Sequence, residues 1–179
     1  VLGLGATINT DQRSIPADSF FTGMYETALK PGELIVSVSF PIPQKAAYIK
    51  YKQPASRFAL VGVFVSQGAG GVRVAVTGAK SSPFRAGDIE AALKTSFTPA
   101  AAKAVKVSAD GMNTDLHGSA AYRAAMVSVM AARAVAVQFL MSVAMVRANS
   151  AAVPPAGTIP CWPNFAIRSG SLRAWFTTA

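Results

Sequence analysis

The sequence predicts an α+β fold, on three observations. A nine-residue stretch, "ELIVSVSFP", alternates apolar and small polar residues at the strand period of two. Further apolar runs occur at Tyr48–Gln53, Phe58–Gln67 and Gly71–Gly78, the last two separated by "GAGG". Helical signals come only after them, and strands succeeded by helices make an α+β chain.

From the N-terminus, Leu2 to Thr10 is apolar and contains glycine, as a strand does, whereas "RSIPADSFFTG" reads as a loop ending in Phe20 and Phe21. A Pro31–Gly32 turn precedes "ELIVSVSFP". There Leu34, Val36, Val38 and Phe40 are expected on one well-buried face, with Ile35, Ser37 and Ser39 on the other. Pro41 and Pro43 end the strand, because proline cannot donate to a ladder. "PIPQKAA" reads as a short linker. The glycines of "GAGG" accept positive φ, so the last two apolar runs form a hairpin in an antiparallel meander.

"RAGDIEAALKTSF" puts Ile89, Ala92 and Leu93 on one helix face, with Asp88 and Glu90 early and Lys94 late, as the helix dipole favours. Thr98 caps a second helix that has Pro99 at its first position. Ser119 caps a third, long helix carrying Tyr122, Met126, Val129, Met130 and Arg133, on which Met126 and Met130 are expected to be buried against the meander. After about Val137 the character changes. From Gln138 to Ala179 there is no Asp, Glu or Lys, and four prolines crowd "AAVPPAGTIPCWPNF", which also holds Cys161 and Trp162. A disordered or frameshifted tail is expected there, Trp175 included.

Composition excludes several function classes. The net charge of +9 over 179 residues invites a nucleic-acid reading. The basic residues are scattered, with no run of three, so no basic patch forms and nucleic acid is not an expected partner. Cys161 and His117 are the only cysteine and histidine, so no cysteine or histidine metal cluster is expected, and a reducing, cytoplasmic setting is. The densest apolar run, Ala134 to Val146, is short of the roughly 20 residues a membrane span needs, so none is expected. The N-terminus has no basic region and no Met, so it reads as no signal peptide and as the start of a partial chain. Asp115 and His117 have the types of an orienter and a base, but no nucleophile motif accompanies them, and a loop before a helix cap accounts for them.

At "IPADSFFTGMYETALKPGELIVSVSFPIP", "YIKYKQPASRFALVGVFV", "GVRVAVTGA" and "MNTDLHGSAAYRAAMVSVMAARAVA" the chain resembles one family. It is similar to the FAD-binding (medium) subunit of molybdenum hydroxylases, the aerobic carbon monoxide dehydrogenase and xanthine dehydrogenase family. The resemblance runs over roughly residues 1 to 137. It implies that residues 1–45 are the C-terminal part of a FAD-binding domain and residues 46–137 a C-terminal-like domain, with 138–179 as the atypical tail. It also implies FAD as cofactor, with molybdopterin and [2Fe–2S] clusters only in partner large and small subunits. No part of the sequence matches the glycine-rich loops that wrap the FAD pyrophosphate in the family, so the chain alone is expected to be inactive.

By the same resemblance, Ile35 corresponds to an aliphatic residue beside the isoalloxazine and Lys52 to a lysine hydrogen-bonding near it. Tyr25, in "TGMYETAL", is within reach of the same ring as a loop aromatic. By burial habit alone, Ile35 is a core residue, Lys52 a strand-end cation and Tyr25 a packed loop aromatic. No residue of this chain is expected to be catalytic. The implied role is to pass electrons from the clusters through FAD to an acceptor. The alternative is a module that docks on the other subunits without flavin.

Overall fold

The computed structural model describes residues 1–149, 167–168 and 171–174, with side chains placed through Gln138. A 3-10 turn at Leu2–Leu4 leads into strands β1 (Thr7–Thr10) and β2 (Ser14–Pro16). A second 3-10 turn, Ala17–Ser19, precedes the small hairpin of β3 (Phe21–Gly23) and β4 (Glu26–Thr27). Strand β5 (Ile35–Pro41) pairs antiparallel with β1, and β1 with β2. The meander is β6 (Lys45–Lys52), β7 (Ala59–Gly68), β8 (Gly71–Thr77) and the short β9 (Phe84–Arg85), in spatial order. Helices α1 (Gly87–Thr95), α2 (Pro99–Ala104) and α3 (Ala120–Asn149) come next. The α+β class and the meander packed on helices are as the sequence predicts.

The predicted linker is shorter than expected, because β6 begins at Lys45 and leaves only residues 42–44 between the sheets. The β7–β8 turn closes with Gly68 opposite Gly71, and Gly71 takes the positive φ (92°) that the sequence reserved for glycine. Thr98 caps α2 by accepting from the Ala101 amide at 3.2 Å. Ser119 accepts from the Tyr122 amide at 3.2 Å at the start of α3.

The core lies between the meander and the helices. Val61, Val63 and Val65 of β7 and Val72, Val74 and Val76 of β8 face Ile89 and Leu93 of α1 and Val127, Met130 and Val135 of α3. The period of two on the strands and of 3.6 on the helix brings these sets together. Met130 is fully buried, whereas Met126 is only partly buried at the edge of the same cluster. The stretch Ala120–Gln138 has the length and apolarity of a membrane span by composition alone, but half of it is buried inside the fold. It covers the sheet as a core helix.

The other face of the meander carries the N-terminal unit. A second cluster joins Leu2, Ala6, Ile8, Ile15, Ala17 and Phe20 to Ala75 of β8, with Phe64 of β7 packed against it. Ser66 Oγ donates to the Gly3 carbonyl at 2.7 Å, and Arg73 donates to the Leu2 carbonyl and, at 2.6 Å, to Asp18.

Strand β5 departs from the expected pattern. Val38 and Phe40 pack on the second cluster, but Leu34 and Val36 are exposed, because that small cluster does not extend beneath them. On the opposite face Ser37 is buried, accepting from Asn9 Nδ2, which also donates to Ser39. Part of the expected tail lies in described backbone. Helix α3 runs on to Asn149, and strands β10 (Ile167–Arg168) and β11 (Ser171–Ala174) extend the first sheet, β11 pairing with β5. The rest of that stretch, with Cys161, Trp162 and Trp175, lies outside the described residues.

Truncating Met130 to Ala is expected to cost about 2–5 kcal/mol, the range for a fully buried Met. Met126→Ala, at the cluster's edge, should cost distinctly less. Urea unfolding of the two variants checks the order, and equal losses would show that the helix face is wrongly placed.

Candidate functional site

The stretch "YIKYKQPASR" ends β6 and turns into β7. Tyr51 faces the helices and meets Tyr122 of α3 edge-on at 6.2 Å between ring centroids. Donation of a hydrogen bond to Tyr51 raises the Tyr122 phenol above its ordinary value. Tyr48 lies on the opposite face with its hydroxyl over Gly62, where an added Cβ would clash with that oxygen. The loop after β6 is built by Gln53, whose Oε1 accepts from the Ser56 amide (2.6 Å) and hydroxyl (3.0 Å). Lys52, paired with Ala59 just after a bulge, is exposed at the strand's end.

Ile35 opens β5 opposite Thr10, also beside a bulge. It is 45% exposed, so it is not the core residue that burial habit suggests. Tyr25 sits at the tip of the β3–β4 hairpin with φ 59° and its side chain fully exposed, so it is not a packed loop aromatic either. A left-handed conformation is uncommon for a bulky residue. Tyr25 lines a cavity of about 550 Å³ together with Phe21, Met24, Lys80 and Asn113. Ile35 and Lys52 do not line that cavity. The three residues therefore stand on three elements, the hairpin, β5 and β6. Among the described residues no hydrogen bond or ring contact links them.

The most highly organised polar group near them escaped sequence reasoning. Glu33, immediately before the exposed start of β5, is buried at 6% exposure. Its carboxylate accepts from Arg13 Nε (2.9 Å) and Nη2 (3.1 Å), Thr10 Oγ1 (2.8 Å) and the Lys30 amide (2.7 Å). The Arg13 bonds, then the Lys30 amide and Thr10, lower its pKa from 4.5 to about 2, although burial acts the other way. The available signal was an acid in "PGE" directly before an apolar strand, but nothing in the spacing pointed to Arg13.

Other acids prove structural. Glu90, expected only to complement the α1 dipole, is buried and accepts from the Val74 amide and from Arg85. Asp115 accepts from the His117 backbone amide (2.9 Å) and from Arg123 Nη2 (2.7 Å), which together hold it below the usual carboxylate range. It is thus engaged with Arg123 rather than set up as an orienter of a base. Buried Arg123 also donates to the Leu60 and Gly78 carbonyls, tying α3 to both ends of the β7–β8 hairpin. Among the described residues no group of three His, Cys, Asp or Glu could hold a metal ion.

No family model matches the chain. A comparison with characterised proteins gives 32% identity over 135 residues to the carbon monoxide dehydrogenase medium chain of Hydrogenophaga pseudoflava. The chain is a homologue of that medium chain. The match takes in 69% of this chain and 47% of the relative. A reconstituted CO dehydrogenase from Oligotropha carboxidovorans superposes with a TM-score of 0.61 at 26% identity, over 76% of this chain and 53% of that one. Quinoline 2-oxidoreductase from Pseudomonas putida 86 superposes at 0.63 over 79% of this chain and 54% of that one; at 23% identity it shows the shared fold alone. The medium-chain homologue thus spans about half the length of the relatives it matches.

Glu33 sets a pH dependence. Its folded pKa of about 2 lies below the ordinary 4.5, so its contribution to stability is present in full above about pH 4.5 and is lost as pH falls toward 2. Chemical unfolding of the wild type and Glu33→Gln should differ at neutral pH and converge over that window. A difference independent of pH would show that the ion pair is not formed.

Proposed function

We propose that the chain supplies the flavin-ring side of the flavoprotein subunit of a molybdenum hydroxylase such as carbon monoxide dehydrogenase. The observation that carries this reading is the 32% identity to a medium chain over 135 residues. In the reading, residues 1–45 end a FAD-binding domain and residues 46–137 form the C-terminal-like domain. FAD, when bound, supplies electron transfer between [2Fe–2S] clusters of a small partner subunit and an acceptor, while a large molybdopterin subunit oxidises the substrate. The setting would be cytoplasmic, as the lone cysteine suggests.

The residues present suit one half of FAD better than the other. Ile35 offers an exposed aliphatic surface beside a strand end, as a flat apolar ring requires, and Lys52 is an exposed cation. Tyr25 adds an exposed aromatic on a constrained tip. The starts of α1 and α2 suit a pyrophosphate less well. The first turn of α1 carries Asp88 and Glu90, which repel an anion, and α2 has only six residues. This chain's work would be to exclude water from the ring with Ile35 and to place a positive charge where reduction adds negative charge.

A second reading, a subunit-docking module that binds no flavin, is favoured by the placement of Ile35, Lys52 and Tyr25 on three elements with only Tyr25 lining the cavity. Flavin absorbance in the purified 179-residue chain distinguishes the two.

In a full-length subunit holding FAD, Lys52→Met should lower the flavin midpoint potential. An exposed charge screened by water contributes about 1 kcal/mol, which corresponds to roughly 20 mV for a two-electron couple. Redox titration of the variant checks it. If potential and FAD affinity were both unchanged, Lys52 would be only a strand-end cation.

A further inference from the structure

We propose that Arg13 and Glu33 are positioning residues, a lock built on the buried Glu33 carboxylate that fixes the start of β5 and the preceding segment so that Ile35 is presented outward. The consequence for a flavin ring rests on the reading given under the proposed function; the lock itself does not.

The geometry brings two loops to one carboxylate. From the β1–β2 turn come Thr10 and Arg13, and from the segment before β5 comes the Lys30 amide, all donating to Glu33. Arg13 Nη2 also donates to the Ala28 carbonyl, one residue beyond β4, so the guanidinium holds the β4–β5 connection at two points. The turn is itself closed, with the Thr10 amide donating to the Arg13 carbonyl at 2.7 Å and the Arg13 amide to Thr10 Oγ1 at 2.9 Å. Two exchanges fasten the next residue. The Asp11 amide donates to the Leu34 carbonyl and the Leu34 amide to Asp11 Oδ1, each at 3.0 Å.

The residues directly after Glu33 have no apolar anchor. Leu34, Ile35 and Val36 are 68%, 45% and 50% exposed, so no core packing holds the strand's first residues. Three consecutive apolar residues facing water would ordinarily turn inward or fray. Ladder pairing is weak there too, because a bulge separates Asn9 and Thr10 opposite the start of β5. The task of orientation passes to the polar network. Charge-assisted bonds to a buried carboxylate suit it, because losing Arg13 leaves the desolvated Glu33 charge unpaired. The fork of Arg13, bonded through both Nε and Nη2, fixes direction as well as distance, which a lysine at the same place could not do.

The test has two arms. In the 179-residue chain, hydrogen exchange is measured over residues 24–36, with the β7–β8 hairpin as internal control, in the wild type, Glu33→Gln, Arg13→Lys and Arg13→Met. Glu33→Gln retains shape and an acceptor, so the fold survives for comparison. The expected result is exchange faster by about tenfold or more over residues 24–36 in Glu33→Gln and Arg13→Met, the scale of losing one charge-assisted bond. Arg13→Lys should recover part of the protection, and the hairpin should be unchanged. Wild-type protection over residues 24–36 in both Glu33→Gln and Arg13→Met would overturn the lock, as would equal loosening of the hairpin.

The second arm places Glu33→Gln in a full-length subunit with FAD bound and records the visible circular dichroism of the flavin. A changed band together with loosened exchange supports both the lock and its role at the ring. Loosened exchange with an unchanged flavin band leaves the lock standing and overturns the placement of Ile35 at the ring.

Discussion

The structure depends on β7 and β8 being covered on both faces. Their valines fill the space under α1 and α3, while Phe64 and Ala75 on the reverse side receive the N-terminal unit. A strand pair buried this way has no solvent side, so its polar groups need partners from the layers it joins. Those partners are the cross-links between layers. Arg123 reaches the Leu60 and Gly78 carbonyls from the helix side, and Gln138 reaches the Val65 carbonyl further along α3. From the other side, Ser66 and Arg73 hold the first 3-10 turn. Apolar burial supplies most of the driving force, and these few directional bonds fix how the layers align.

Much of the fold was legible because it rests on local periodicity. The hairpin at Gly68–Gly71, the caps at Thr98 and Ser119, and the buried valines come from spacing and turn chemistry within a short window. The features that could not be read depend on contacts distant in sequence. The exposed half of β5 looks like any half-buried strand until the size of the cluster beneath it is known. Glu90 looks like a dipole-complementing acid until β8 and Arg85 close over it.

The candidate site divides in the same way. Ile35 and Lys52 came from a resemblance and Tyr25 from its loop, and the fold gives them exposure on three separate elements rather than a single pocket. The pair that organises the region, Arg13 and Glu33, is split by 20 residues in a sequence where neither has a motif. The aromatic and cationic crowding at the end of β6 resolves into distinct roles. Tyr51 braces α3, Tyr48 covers Gly62, and Lys50 and Lys52 stay in solvent.

The short connection at residues 42–44 has a consequence for the order of assembly. The meander closes through two adjacent hairpins, so its contacts are near in sequence and its loop-closure cost is small. The bonds from Arg73 to the Leu2 carbonyl span a separation of 71 residues, and that from Ser66 to Gly3 spans 63. Such long-range contacts gain nothing until both ends are formed. The α3 bonds from Arg123 to Leu60 and from Gln138 to Val65 span 63 and 73 residues. The meander is therefore the template onto which both α3 and the N-terminal unit dock late, with residues 42–44 too short to let the latter wander far. A nascent chain would display the apolar back of β7 and β8 during that interval, the period in which it is most exposed to mispairing.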